Sequence, residues 1–190
     1  MKSTEVFKRD YMTTVVMILM VILIVFTFWF GLRFVFRTEH PILAVASGSM
    51  EPVLYAGDLI LVEGVDDPGD IYAAPKDANP PGDVIVYQGP QDLIVHRAVM
   101  KTSQDGTYIF ETQGDNNRFP DGWDVKESDV VGRYTGFKVP LLGHIALFFN
   151  PFEVKVTFIS LVVIALILLE LYPELRKISQ RSDSEERLYK

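Results

Sequence analysis

Leu93 to Gln113 reads LIVHRAVMKTSQDGTYIFETQ: two β-prone runs, Leu93 to Met100 and Thr107 to Gln113, on either side of Asp105-Gly106. An Asp-Gly pair favours a two-residue turn, because both central positions of a type I′ turn need φ > 0. The stretch therefore predicts an antiparallel hairpin in which Gln104 faces Thr107. Carried along the ladder without interruption, that register sets His96 opposite Asp115, close enough for a carboxylate to orient an imidazole. A single bulge would break this distant match. His96 and Arg97, being consecutive in the strand, point to opposite faces.

Outward from the hairpin the same texture continues. Ile42 to Ala46, Leu59 to Val62, Val84 to Tyr87 and Val130 to Phe137 are further runs rich in Val, Ile and aromatics, separated by Gly, Pro and Asp. Residues 38–150 contain no long segment of helical period, so the expectation is a mainly β domain, a partly open barrel or sandwich of short strands. Glu63 to Gly82, dense in Asp, Pro and Gly, reads as an exposed excursion. Its Asp66, Asp67 and Asp70 lack EF-hand spacing, so a solvated acidic loop is a better reading than a Ca2+ site. Cysteine is absent, which rules out disulfides, thiolate metal sites and a cysteine nucleophile. His40 and His144 have no partner ligands near them in sequence, and no cofactor or metal is expected.

Two apolar segments flank this domain. Val15 to Leu32 carries no charge and approaches the ~20 residues that a helix needs to cross a bilayer. Val156 to Leu169 spans if its flanks, Phe152 to Tyr172, join it; an interfacial helix is its other reading. Phe148, Phe149 and Phe152 would seat it at the interface. Lys2, Lys8 and Arg9 precede the first segment, and Arg176, Lys177, Arg181, Arg187 and Lys190 follow the second. Residues 38–153 hold seven Lys or Arg against eighteen Asp or Glu. Positive-inside bias then predicts a cytoplasmic N-terminus (1–12), a transmembrane helix (13–36), an extracytoplasmic β-domain (37–150), a second transmembrane helix (151–173) and a cytoplasmic tail (174–190). Arg33 and Arg37 run against that bias but are outweighed by two agreeing termini. An acidic outer domain argues against nucleic acid as a partner.

The stretch LAVASGSMEP, Leu43 to Pro52, has two incompatible readings. Ala44-Val45-Ala46 has the small-x-small pattern of a secretory cleavage site. Alternatively, Ser47-Gly48-Ser49-Met50 begins an active site. A serine becomes a useful nucleophile when a neighbouring base takes its proton, and a histidine, with an unperturbed pKa of ~6.5, is suited to that task. A carboxylate beyond the imidazole fixes its tautomer. Ser49, His96 and either Asp115 or Asp121 supply these types, although such residues also assemble by chance.

SGSMEP (Ser47–Pro52), GDVIVY (Gly82–Tyr87), IVHRAV (Ile94–Val99) and GDNNRFPD (Gly114–Asp121), in this order, resemble the type I signal peptidases, in the branch found in archaea and the endoplasmic reticulum. The resemblance runs from about Pro41 to Phe137 plus the preceding anchor. It implies a signal-peptidase-like catalytic β-domain, with Ser49 as nucleophile, Ser47 and the backbone N–H of Ser49 as oxyanion donors, and His96 where the bacterial branch has a lysine base. Asp121 corresponds to the family's essential acid and Asp115 supports it, whereas the hairpin register favours Asp115. The implied activity is a membrane-bound serine endopeptidase cleaving signal peptides after small residues. Its partners would be preproteins, the lipid bilayer and the export translocon. Other readings are a peptidase maturing one surface protein, or an anchored β-domain that binds exported proteins without catalysis.

Overall fold

The computed structural model describes residues 2–151, 153–162, 164, 165, 168 and 172. The chain divides into two compact units, Met1–His144 and Ile145–Lys190.

In the first unit, helix α1 (Lys2–Phe36) contains a 22-residue apolar span, Val15–Phe36, none of it buried. A helix apolar on every side and covered by nothing is suited to lipid. It ends where Arg37 takes a positive φ of 51°, and the Phe36 carbonyl accepts a hydrogen bond from Gly64 N at 2.7 Å. Thr38 Oγ1 donates to Val131 O at 3.0 Å, so the helix exit is tied directly to the sheet.

That sheet comprises β1 (Ile42–Ala44), β2 (Leu59–Glu63), β3 (Val84–Gln88), β4 (Leu93–Gln104), β5 (Thr107–Gln113), β6 (Val125–Lys126) and β7 (Val130–Val139). All pairings are antiparallel, in the order β1-β2-β7-β3-β4-β5-β6. The fold is thus mainly β, as expected; of the two expected forms, partly open barrel or sandwich, the single seven-stranded sheet among the described residues departs from the two sheets of a sandwich. Val84 to Tyr87 are buried on both faces because successive side chains alternate. Val84 and Val86 pack with Val45, Met50, Leu54, Ile60 and Val62. Ile85 and Tyr87 pack with Ile71, Ala98, Phe110 and Val125.

The hairpin turn is as expected: Asp105 and Gly106 have φ of 50° and 82°, and Gln104 pairs with Thr107. The register holds to Met100↔Glu111, then shifts, so that Ala98 pairs with Thr112 and Arg97 with Gln113. The expected His96–Asp115 pairing is therefore corrected: a bulge at Val99 adds one residue to β4 and slips the ladder. The Glu63–Gly82 excursion is also better packed than expected. Ile71 is fully buried, and Lys101 Nζ donates to the carbonyls of Gly69 (2.6 Å) and Ile71 (2.9 Å).

The boundary between the two units falls within a short helix, α2 (Gly143–Phe148). In the second unit, residues 153–162 are helical, and Phe149 makes edge contacts with Phe148 and Phe158. Part of the expected second transmembrane segment (151–173) and all of the tail (174–190) lie outside the described residues.

Candidate active site

Ser49 sits in the loop after β1, between exposed Ser47 and buried Met50. Two anchors hold this loop. Asn116 N donates to Ser49 O at 2.8 Å, and Asn116 Nδ2 donates to Gly48 O at 3.1 Å. The backbone of Gly114 packs so close that a Cβ there would lie 2.6 Å from Ser49 O, which accounts for glycine at the head of GDNN.

Ser49 Oγ lies 3.0 Å from His96 Nε2, and His96 Nδ1 lies 2.7 Å from Asp121 Oδ2. In the tautomer that satisfies both contacts, Nδ1–H donates to the carboxylate and Nε2 accepts from the serine hydroxyl. Ser47 Oγ is 3.3 Å from Ser49 Oγ. His96 and Asp121 are largely buried, with side chains 10% and 7% exposed. Burial alone would raise the Asp121 pKa, but hydrogen bonds from His96, Thr112 and Tyr87 outweigh it and hold the carboxyl below its ordinary value. The Tyr87 hydroxyl is pushed well up, first by burial and then by the adjacent Asp121 charge.

Asp115 lies on the other face of β4. Its two oxygens accept from Arg97 Nε (2.7 Å) and Nη2 (2.6 Å), and Arg97 Nη1 donates to the Gly82 carbonyl. The opposed directions expected for His96 and Arg97 thus separate two carboxylates: Asp121 meets the imidazole and Asp115 meets the guanidinium. Asn117 O accepts from Lys76 Nζ (2.6 Å) and Gln113 Nε2 (3.0 Å), fixing the turn that carries both. Asp66 pairs with Arg37, and Asp67 Oδ1 accepts from Gly69 N; among the described residues no three His, Asp or Glu side chains converge as a metal site would require.

A cleft of about 300 Å3 opens beside Ser49, lined by residues 44–47, Met50 and residues 93–96. Two backbone edges with no ladder partner among the described residues border it. β1 ends the sheet, and residues 93–96 of β4 pair with β3 only, because the β5 ladder begins at Arg97.

The catalytic subunit SEC11C of the Homo sapiens signal peptidase complex is 32% identical to this chain over 157 residues, covering 76% of each. The chain belongs to the type I signal peptidase family. The SEC11 subunit of Lachancea thermotolerans is likewise 32% identical over 140 residues, covering 66% of this chain and 75% of that protein. Signal peptidase I W of Bacillus subtilis is 38% identical over 98 residues, covering 51% of this chain and 47% of that protein. No protein-family model matches. Signal peptidases are membrane-associated serine endopeptidases that remove signal peptides from preproteins, and the unburied apolar helix suits an anchor for that work.

Three residues around the Ser49–His96–Asp121 chain were not singled out in the sequence. Tyr87 and Thr112 both contact Asp121, at 2.8 and 2.6 Å, and Asn116 Nδ2 donates to Gly48 O in the loop that carries Ser49. Tyr87 had a signal: a tyrosine closing a continuously apolar strand must find a partner for its hydroxyl when buried.

Proposed function

We propose that Ser49, His96 and Asp121 form the catalytic triad of this signal peptidase. The continuous hydrogen-bonded chain Ser49–His96–Asp121 carries the reading. His96 takes the Ser49 proton as Oγ attacks the scissile carbonyl, then gives it to the leaving amine; Asp121 stabilises the imidazolium that forms between. The Ser47 hydroxyl and the Ser49 N–H serve as donors to the oxyanion, whose charge develops only in the tetrahedral state. Asp115 supports the site from the far face of β4, through Arg97 and the GDNN turn.

The substrate docks as an extended strand in the cleft between residues 44–46 and 93–96, where free main-chain groups border it on both sides. Main-chain pairing tolerates varied sequences, while the nearby walls favour small side chains at the first and third positions before the cut. With both termini cytoplasmic and 151–173 as a second span, the site faces the outer leaflet. A signal's apolar helix held in the bilayer delivers its cleavage point there, at the exit of the export translocon.

The test incubates purified full-length protein with a preprotein bearing Ala at both positions, beside Ser49→Ala. Cleavage after the second Ala by the wild type alone is the expected result; equal processing by the variant would overturn the assignment.

A further inference from the structure

Three donors converge on one oxygen of Asp121. His96 Nδ1 lies 2.7 Å from Oδ2, the Tyr87 hydroxyl 2.8 Å and Thr112 Oγ1 2.6 Å. The two hydroxyls are themselves 3.0 Å apart, yet each has a single proton. Both protons go to the carboxylate, since hydrogen bonds to an ionised acceptor are shorter and stronger than neutral ones, and the contacts to Oδ2 are the two shorter sides of the triangle. Tyr87 and Thr112 are completely buried, on β3 and β5, the strands flanking the two halves of β4. Asp121 N also donates to Thr112 O at 2.7 Å, so one residue grips Asp121 by both backbone and side chain.

We propose that Tyr87 and Thr112 are positioning residues that aim the Asp121 carboxylate at His96 and limit how strongly it holds the imidazolium. This deepens the triad reading and rests on it. Asp121 lies in the loop between β5 and β6, and its backbone bond to Thr112 O fixes the main chain without fixing where the carboxylate points. The hydroxyls supply that direction. They also share the carboxylate's charge with the imidazole, so His96 gives up its proton to the leaving amine more readily. The titratable groups facing this cluster are His96 from β4, Tyr87 from β3 and Asp121 itself, with Thr112 as the neutral donor from β5. The lowered Asp121 pKa is consistent with this arrangement.

Removing a donor has a definite sign. A carboxylate with fewer hydrogen bonds is more basic, so it stabilises protonated His96 more strongly, and the proton that silences the base binds at higher pH. For Tyr87→Phe and Thr112→Val, kcat should fall about tenfold and the acid limb of kcat/KM should move upward by roughly half a pH unit or more. KM should stay within about twofold, because neither side chain lines the cleft. Thr112→Ser, which keeps the hydroxyl, should restore the wild-type profile.

The assay uses full-length protein in detergent with a preprotein substrate, and thermal melts establish folding. If Thr112→Val melts below the assay temperature, Tyr87→Phe carries the same readouts. An unmoved acid limb in the folded variants, or a loss appearing in KM, would overturn the proposal. Parallel Ser49→Ala and His96→Ala reactions separate the two failures. Wild-type cleavage by either defeats the triad itself, whereas inactive triad variants beside an unmoved limb defeat the positioning role alone.

Discussion

Replacing Asp115 by alanine tests whether the two carboxylates of GDNNRFPD do different work. Arg97 and Asp115 side chains are 9% and 11% exposed, and the pair is bidentate. Without Asp115, the guanidinium keeps the Gly82 carbonyl as its hydrogen-bond partner and remains charged in a largely buried position. Breaking a buried pair from one side costs about 3–5 kcal/mol, which in a domain of this size lowers the melting midpoint by roughly 10–20 °C. The Ser49–His96–Asp121 chain would remain intact, since Asp115 bonds to Arg97 and touches neither Ser49 nor His96. Asp121→Asn should behave oppositely, with a modest change in midpoint and a kcat loss of about 10^4-fold, as when the acid of such a triad is made neutral. The assay pairs thermal unfolding of the full-length protein with preprotein cleavage at a temperature well below either midpoint. Asp115→Ala should keep kcat within about tenfold of wild type there, because only the turn's placement is relaxed. A dead Asp115→Ala with a wild-type midpoint would refute the division of labour.

Other expectations follow from the same contacts. Asn116→Ala removes the Nδ2 bond to Gly48 O but keeps the backbone bond to Ser49 O, so kcat should fall by about three- to tenfold with little change in midpoint, read by steady-state kinetics. Gly114→Ala should cost far more, since its Cβ would meet Ser49 O and Asn117 Nδ2 at once; cleavage rate and midpoint should drop together. Asp58 is buried, which alone would raise its pKa, but Lys138 and the Tyr55 N–H hold it below the ordinary carboxylate value. Its contribution is therefore complete above about pH 4 and is lost as pH falls through the lower folded value, so Lys138→Met should flatten the acid decline in denaturant midpoint.

Most of the fold was legible because it rests on local chemistry. Runs rich in Val, Ile and aromatics marked the strands at Ile42–Ala44, Leu59–Glu63, Val84–Gln88 and Val130–Val139, and Asp105-Gly106 set the hairpin turn. Ordered motif blocks pointed to Ser49, His96 and Asp121. Register at the far end of the hairpin was not legible, because the bulge at Val99 has no Gly or Pro to announce it. The Asp121 contact was equally hidden: its three donors come from β3, β4 and β5, and only the folded sheet assembles them. β6 was missed because two residues, Val125 and Lys126, carry no periodicity. Ile71 and Ala74 looked like part of an exposed loop, yet both are buried, Ile71 in the apolar cluster of Ile85, Tyr87 and Phe110.

The most direct test of Ser49 activation by His96 is the pH dependence of kcat/KM for preprotein cleavage, wild type beside His96→Ala. Wild-type activity should fall tenfold per pH unit below its acid limb as the imidazole takes up the proton it must accept from Ser49, and His96→Ala should be inactive near neutrality. A wild-type profile flat down to about pH 4, or a His96→Ala variant within tenfold of wild type, would contradict it.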